Sequence, residues 1–167
     1  MATKRKSVPF GVPDAGSGVY LSKLSSELTL TNAKEQICLV MPPPSGSDIG
    51  ASTVWDIPDI YVGTPKFILR GILDGTPANT LGVGVQFIER NLSDSIDTAY
   101  EAEDIASNAT WTGYADEDEY EIAITLTPAT AFTPLRQVYA RYFRDNSAGT
   151  QTVGFLVTGL YFEFNDA

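Results

Sequence analysis

The sequence contains no histidine and a single cysteine, Cys38. Without histidine, the Ser-His-Asp and Cys-His arrangements of nucleophilic catalysis are excluded, along with most zinc and copper sites. A lone cysteine cannot close an intramolecular disulfide, so the chain is not a disulfide-stapled scaffold. Cys38 lies in the apolar run Ile37-Cys38-Leu39-Val40, where a small buried hydrophobe is favoured over an exposed thiol that pairs between molecules. No phosphate-cradling glycine loop is present, because Gly82-Val83-Gly84-Val85 falls inside a strand pattern and not at a strand-to-helix turn. Long apolar runs are missing too. Val153 to Phe162 is about half of the ~20 residues that a spanning helix needs. The start, Met1 to Ser7, has the charges of a signal peptide but no apolar stretch behind them. The expectation is a protein made in the cytoplasm and used without export through a membrane, with no membrane partner.

What is present is a globular composition. The chain has 167 residues, 43% hydrophobic and 19% charged, enough for one domain with its own core. It carries 8 Phe, 8 Tyr and 2 Trp, residue types that favour strands. Its net charge of −10 is unevenly spread. Residues 1–40 hold five basic side chains (Lys4, Arg5, Lys6, Lys23, Lys34) against three acidic ones (Asp14, Glu27, Glu35), a net +2. Residues 91–121 hold ten carboxylates and no Lys or Arg. Such a surface repels phosphate backbones, so nucleic acid is not an expected partner.

The alternation of apolar and polar residues predicts an all-β chain. Residues 1–20 contain Pro9, Pro13, Gly11, Gly16 and Gly18 and read as a basic extended N-terminal arm, leaving 21–167 as the sandwich domain. Strand candidates follow at Glu27–Leu30, Gln36–Met41, Thr53–Trp55, Lys66–Leu73, residues 81–90, Tyr120–Leu126, Leu135–Arg144 and Thr152–Phe164. Several alternate cleanly: Val138, Ala140 and Tyr142 oppose Tyr139, Arg141 and Phe143, and Leu156, Leu160, Phe162 and Phe164 share one side. Ser93–Ser107 reads as an irregular loop with a helical turn. About eight strands with hairpin-like spacing predict an antiparallel two-sheet sandwich, jelly-roll-like.

No residue is assigned as catalytic, cofactor-binding or metal-binding. A carboxylate pair from the acidic window could in principle hydrolyse glycosides, and Asp116-Glu117-Asp118-Glu119 could hold calcium. A solvated, solubilising loop is the favoured reading of both. Trp111, Tyr114 and Tyr120, with Trp55 and Tyr61, could present aromatic faces to sugars; rings that close the core are favoured. The sequons at Asn91 and Asn108 read as chance matches without a secretory route. Lys4, Arg5, Lys6, Pro9 and Phe10 are the candidate partner-binding residues, a tether whose charge contrasts with the acidic body.

From Trp55 to Phe164 the chain resembles virion-associated β-sandwich domains of tailed phages. The resemblance is carried by Trp55-Asp56-Ile57-Pro58, the strand Lys66-Phe67-Ile68-Leu69-Arg70, and Val83-Gly84-Val85-Gln86-Phe87. It continues through the acidic Asp94-to-Tyr100 segment, Tyr139-Ala140-Arg141-Tyr142-Phe143-Arg144-Asp145 and Leu160-Tyr161-Phe162-Glu163-Phe164. It implies a structural virion protein on the capsid exterior, a decoration (cement) protein bound to the major capsid protein as a homotrimer. The alternative it carries is a receptor- or carbohydrate-binding module of a phage tail or head fibre. On the decoration reading, residues 1–20 dock the particle and are dispensable for folding.

Overall fold

Strands dominate because apolar, β-branched and aromatic residues recur at every second position between turn-forming Gly, Pro, Asp and Asn. The computed structural model describes residues 1–28, 36–91, 93–95, 99–101, 103–108, 114 and 118–166. Its early elements are β1 (Thr3–Val8), β2 (Val12–Pro13), β3 (Tyr20–Lys23), a single helical turn α1 (Leu24–Glu27), β4 (Ile37–Met41) and β5 (Ile49–Asp56). The later ones are β6 (Tyr61–Asp74), β7 (Leu81–Arg90), β8 (Asp104–Asn108), β9 (Glu119–Thr125), β10 (Gln137–Arg144) and β11 (Gly154–Asp166). One sheet runs β3-β4-β11-β6-β9, with β1 also paired to β11; the other runs β2-β5-β10-β7-β8. All pairings are antiparallel. Strands β4 to β11 supply four neighbours to each sheet, in the order of a jelly roll. No described helix is long and apolar enough to cross a membrane.

The sandwich is as expected, but it has eleven described strands in place of about eight. Three of the extra strands lie in residues 3–23 and the fourth is β8, which overlaps the end of the segment expected to be a loop with a helical turn. The Glu27–Leu30 candidate is not a described strand: Glu27 ends α1, and residues 29 and 30 lie outside the described residues. The main core forms between the sheets from residues such as Leu69, Val85, Phe87, Val138, Tyr142, Phe155 and Phe162. In β11 the register slips between Val157 and Gly159. A bulge of this kind inverts the alternation. Leu160, Phe162 and Phe164 therefore face the main core together with Phe155 and Val157, while Leu156 faces the opposite way. There it joins Leu24, Leu28, Cys38, Val40 and Ile72 in a second cluster. Cys38 is fully buried in that cluster, and burial pushes its thiol up to about 11.

The arm is the main correction. Thr3 to Val8 pair residue by residue with Asn165 to Leu160, and Val8 is buried in the core. The chain then crosses to the other sheet, where Thr53 Oγ1 donates to the Pro9 carbonyl at 2.7 Å and Tyr142 OH donates to the Phe10 carbonyl. Gly11 (φ +79°) passes so close to β5 that a Cβ would lie 1.9 Å from the Ser52 oxygen, so only glycine fits. An unpaired edge on β11 was the cost that composition could not reveal. Residues 1–20 are thus part of the fold.

The charges of the arm are used on the outer face of its own sheet. Arg5 donates to Glu163 at 2.8 Å and to both oxygens of Glu121 at 2.9 Å, Lys66 reaches Glu163 at 2.9 Å, and Arg70 reaches Glu121 at 2.6 Å. Ile68, on this face by register between the rows of Lys66 and Arg70, is only 1% exposed. Burial alone raises the Glu163 carboxyl, but the hydrogen bonds from Lys66 and Arg5 outweigh it and hold the group below the usual carboxylate range. Glu121 is lowered in the same way by Arg70 and Arg5. A folded-state value below the unfolded one means stabilisation present above the unfolded pKa of about 4.3 and lost as pH falls through the folded value. Glu163→Gln is expected to cost about 1 kcal/mol at pH 7 and to flatten the loss of stability below pH ~4.3. Urea titrations of both proteins between neutral and acid pH check this.

The two sheets are tied at one end by a buried cation. Arg144 is 1% exposed and points inward from β10. Its Nη1 donates to the carbonyls of Val153 (2.7 Å) and Met41 (3.2 Å), and its Nη2 donates to that of Gln151. Among the described residues it has no carboxylate partner, and burial lowers its guanidinium to about 10. Arg144→Met leaves three carbonyls without these donors and is expected to destabilise by about 2–4 kcal/mol. Arg144→Lys, with donors on one point in place of a planar fork, should recover only part of that. Thermal and urea unfolding measure both.

Candidate ligand-binding groove

Alternation that buries one side of β5, β10 and β7 leaves the other side facing solvent. Register places these outward side chains in rows: Asp56–Gln137–Arg90, then Val54–Tyr139–Ile88, then Ser52–Arg141–Gln86. The next row has Phe143 between Gly50 and Gly84; a Cβ on Gly84 would lie 2.4 Å from the Phe143 ring, so glycine lets the ring lie flat and buried. Arg141 stacks on Phe143 at 5.1 Å and pairs with Asp14 at 2.7 Å.

Two depressions meet at Tyr139. One, of about 320 Å³, is lined by the polar side chains of Asp56, Arg90, Asn91, Asp94 and Gln137 together with Leu135 and Tyr139. The other, of about 270 Å³, is largely apolar; Pro9, Val12, Val54 and Tyr100 contribute to its walls. Tyr139, Tyr100 and Val54 are all partly exposed, and Val12 is 71% exposed. Tyr139 is held in place: its hydroxyl donates to Gln137 Oε1 (3.1 Å), and Arg90 stacks on its ring at 5.0 Å. Gln137 Nε2 in turn donates to Asp56 Oδ1 (3.1 Å), and Lys6 Nζ donates to the Asp56 carbonyl (2.9 Å). Asn91 N–H donates to Asp94 Oδ2 at 2.7 Å.

At the rim stands Leu135, 76% exposed and with φ at 67°, a left-handed conformation unfavourable for leucine. Its neighbours hold it there. The Leu135 N–H donates to the Ile57 carbonyl, the Ile57 N–H donates to the Arg136 carbonyl, and Glu89 accepts from both Thr133 N–H and Arg136 Nη1. A strained residue fixed from both sides is how sites keep a side chain in an unfavourable pose.

The sequence-derived candidates scatter. Pro9 lines the groove, Phe10 packs against the core, and Lys6 braces Asp56. Lys4 lies 3.7 Å from Asp166, and Arg5 belongs to the network on the other sheet. Of the aromatic candidates, Trp55, Tyr61 and Tyr120 are buried; Trp55 packs on Phe67 and Phe162. Tyr114 meets Tyr120 edge-on. Trp111, Asp116 and Glu117 lie outside the described residues, as do Leu92, Ala109 and Thr110 of the two sequons. Among the described residues no three acidic or cysteine side chains gather as metal ligands. Tyr139 and Tyr100 were not singled out as binding residues. The available signal was a strand whose outward positions, Tyr139, Arg141 and Phe143, are all large.

No family model matches the chain, and no curated protein matches it. Among solved structures it is similar to the arabinose-bound MgGH51 α-L-arabinofuranosidase, at 14% identity and a TM-score of 0.46, over 90% of this chain and 22% of that one. It is similar to the family 11 carbohydrate-binding module of the cellulosomal cellulase Lic26A-Cel5E of Clostridium thermocellum, at 12% identity and a TM-score of 0.41, over 100% of this chain and 89% of that one. It is also similar to the enzymatically active domain of tailspike protein 4 of bacteriophage CBA120, at 10% identity and a TM-score of 0.41, over 96% of this chain and 19% of that one. The chain thus spans about a fifth of the arabinofuranosidase and of the tailspike chain. Likeness at this level says nothing about ligands, so the groove is read from its own residues.

Relieving the strain at Leu135 should stabilise the protein. Leu135→Asn, a residue that tolerates the left-handed region, is expected to gain about 0.5–1 kcal/mol. The change in urea midpoint at constant slope measures it.

Proposed function

We propose that this protein is a carbohydrate-binding module whose ligand lies across the outer face of the β2-β5-β10-β7-β8 sheet. The observation that carries the reading is the placement of Tyr139, a partly exposed ring fixed at the junction of an apolar trough and a polar pocket. Sugars have this duality: C–H faces that pack on aromatic rings, and hydroxyls that need acceptors and donors beside them.

Taken with the resemblance to virion-associated sandwiches, the reading is of a receptor-binding part of a phage tail or head fibre. A decoration role was to run through Lys4, Arg5 and Lys6, and these side chains have partners within their own chain. The capsid-protein contact and the trimer belong to that decoration reading.

Saturable binding on a glycan array is the expected result, and Tyr139→Ala should weaken it about tenfold or more, ~1.4 kcal/mol, with an unchanged melting temperature. A chain that binds nothing on the array, or whose binding ignores Tyr139→Ala, does not work this way.

A further inference from the structure

The polar pocket goes further than the presence of a groove, because its charges and open hydrogen-bonding sites define a kind of sugar. We propose that the groove takes a neutral oligosaccharide and rejects glycans bearing carboxylate or sulfate groups; this rests on the carbohydrate reading above. The first reason is the charge of the lining. Asp56 and Asp94 both face the pocket, against the single cation Arg90, whose guanidinium lies on the Tyr139 ring. The other cations near this face among the described residues are committed: Arg141 to Asp14 at 2.7 Å, Arg136 to Glu89 at 3.0 Å, and Lys6 to the Asp56 carbonyl at 2.9 Å. The whole chain adds a net charge of −10. An anionic group entering here meets two exposed carboxylates, whose repulsion acts within a Debye length of ~8–10 Å.

The second reason is the hydrogen-bonding demand. Tyr139 OH donates to Gln137 Oε1, and Gln137 Nε2 donates to Asp56 Oδ1. That relay occupies one Asp56 oxygen and leaves Oδ2 with no donor among the described residues. At Asp94, Oδ2 accepts the Asn91 N–H, and Oδ1 has no donor among them. Each of these two lining carboxylates thus has an oxygen that a ligand donor can satisfy. Sugar hydroxyls supply donors; carboxylates and sulfates supply only more acceptors. The third reason is extent. The lining follows β5 from Ser52 in the apolar trough to Asp56 in the polar pocket. Four strand residues span about 13 Å, roughly two to three sugar rings. One ring then packs on Tyr139 against Val54 and Tyr100, and its neighbour presents hydroxyls to Asp56 and Asp94 beside Leu135.

The test uses calorimetric titration of the whole chain with matched probes. The neutral arm is cellotriose, mannotriose, xylotriose, maltotriose and lactose; the acidic arm is trigalacturonic acid and sialyllactose. The expected result is saturable binding of at least one neutral probe, little changed between low and high salt, with the acidic probes at least tenfold weaker. Asp56→Asn combined with Asp94→Asn should weaken the neutral probe about tenfold and narrow the gap to the acidic ones, with the melting temperature confirming the fold. Acidic probes that bind as well as neutral ones, or neutral binding that ignores the double substitution, overturn the inference while leaving a sugar-binding groove in place. If no probe of either arm binds, and the array is also blank, the carbohydrate reading itself falls.

Discussion

A guanidinium without a carboxylate holds the two sheets together at one end. Taking Arg144 out of water is expensive, and the compensation is three backbone carbonyls presented to its planar fork. One carbonyl ends β4, and the other two, from Gln151 and Val153, lie on the way into β11. A single β10 side chain therefore fixes where two strands of the opposite sheet stop and start. The turn that carries the last two acceptors is itself organised by Asp145, which accepts from Ser147 N–H, Ser147 Oγ and Ala148 N–H. Gln151 is bonded in turn to the β6–β7 connection through Thr80 and Asn79. The hydrophobic core supplies most of the stabilisation, but its non-directional attraction does not choose a register. The alternation and the turns choose it, and the arginine ties the ends of two strands to the turn before β11.

Period-two alternation made most of the fold legible before any coordinates. Seven of the eight strand candidates coincide with strands, and the parity that sets Val138, Ala140 and Tyr142 inward also places Arg144 inward. Parity fails where its premise fails. The bulge at residues 157–159 separates Leu156 from Leu160, although counting by twos puts them on one side. The arm failed for a different reason. Thr3 to Val8 is polar and basic, and reads as solvated when considered alone. It is a strand because β11 offers an open edge, and Glu163 and Glu121 offer partners to Arg5, more than a hundred residues away in sequence. Contacts of that separation are invisible to local pattern.

The groove was less legible still. Rings that close the core were the favoured reading of the aromatics, and Trp55 is one, at an inward position of β5; that reading pointed to no site. Tyr139 sits on the outward side of a strand whose pattern was already clear. Its significance depends on things that alternation does not show: a neighbouring strand that brings Gln137 and Asp56 into a relay, and an N-terminal crossing that raises Pro9 and Val12 beside it. Leu135 is harder again, since a positive φ on an exposed leucine has no sequence signature.

The crossing segment from Val8 to Pro13 joins stability and site into one problem. It plugs the core with Val8, hangs on Thr53 and Tyr142 through the carbonyls of Pro9 and Phe10, and supplies part of the groove wall. Removing residues 1–20 takes all of this away together. A truncated protein that fails to bind its target would fail for any of three reasons: a lost tether, a lost wall or a loosened sandwich. Single side chains separate them. Neutralising Lys4 and Arg5 removes two of the arm's three positive charges while leaving the crossing intact, whereas shortening Val12 alters the trough while leaving every hydrogen bond of the crossing in place. The basic charge that marks the arm in the sequence and the apolar wall that the arm builds are thus separable in the molecule, and the wall is the part that borders Tyr139.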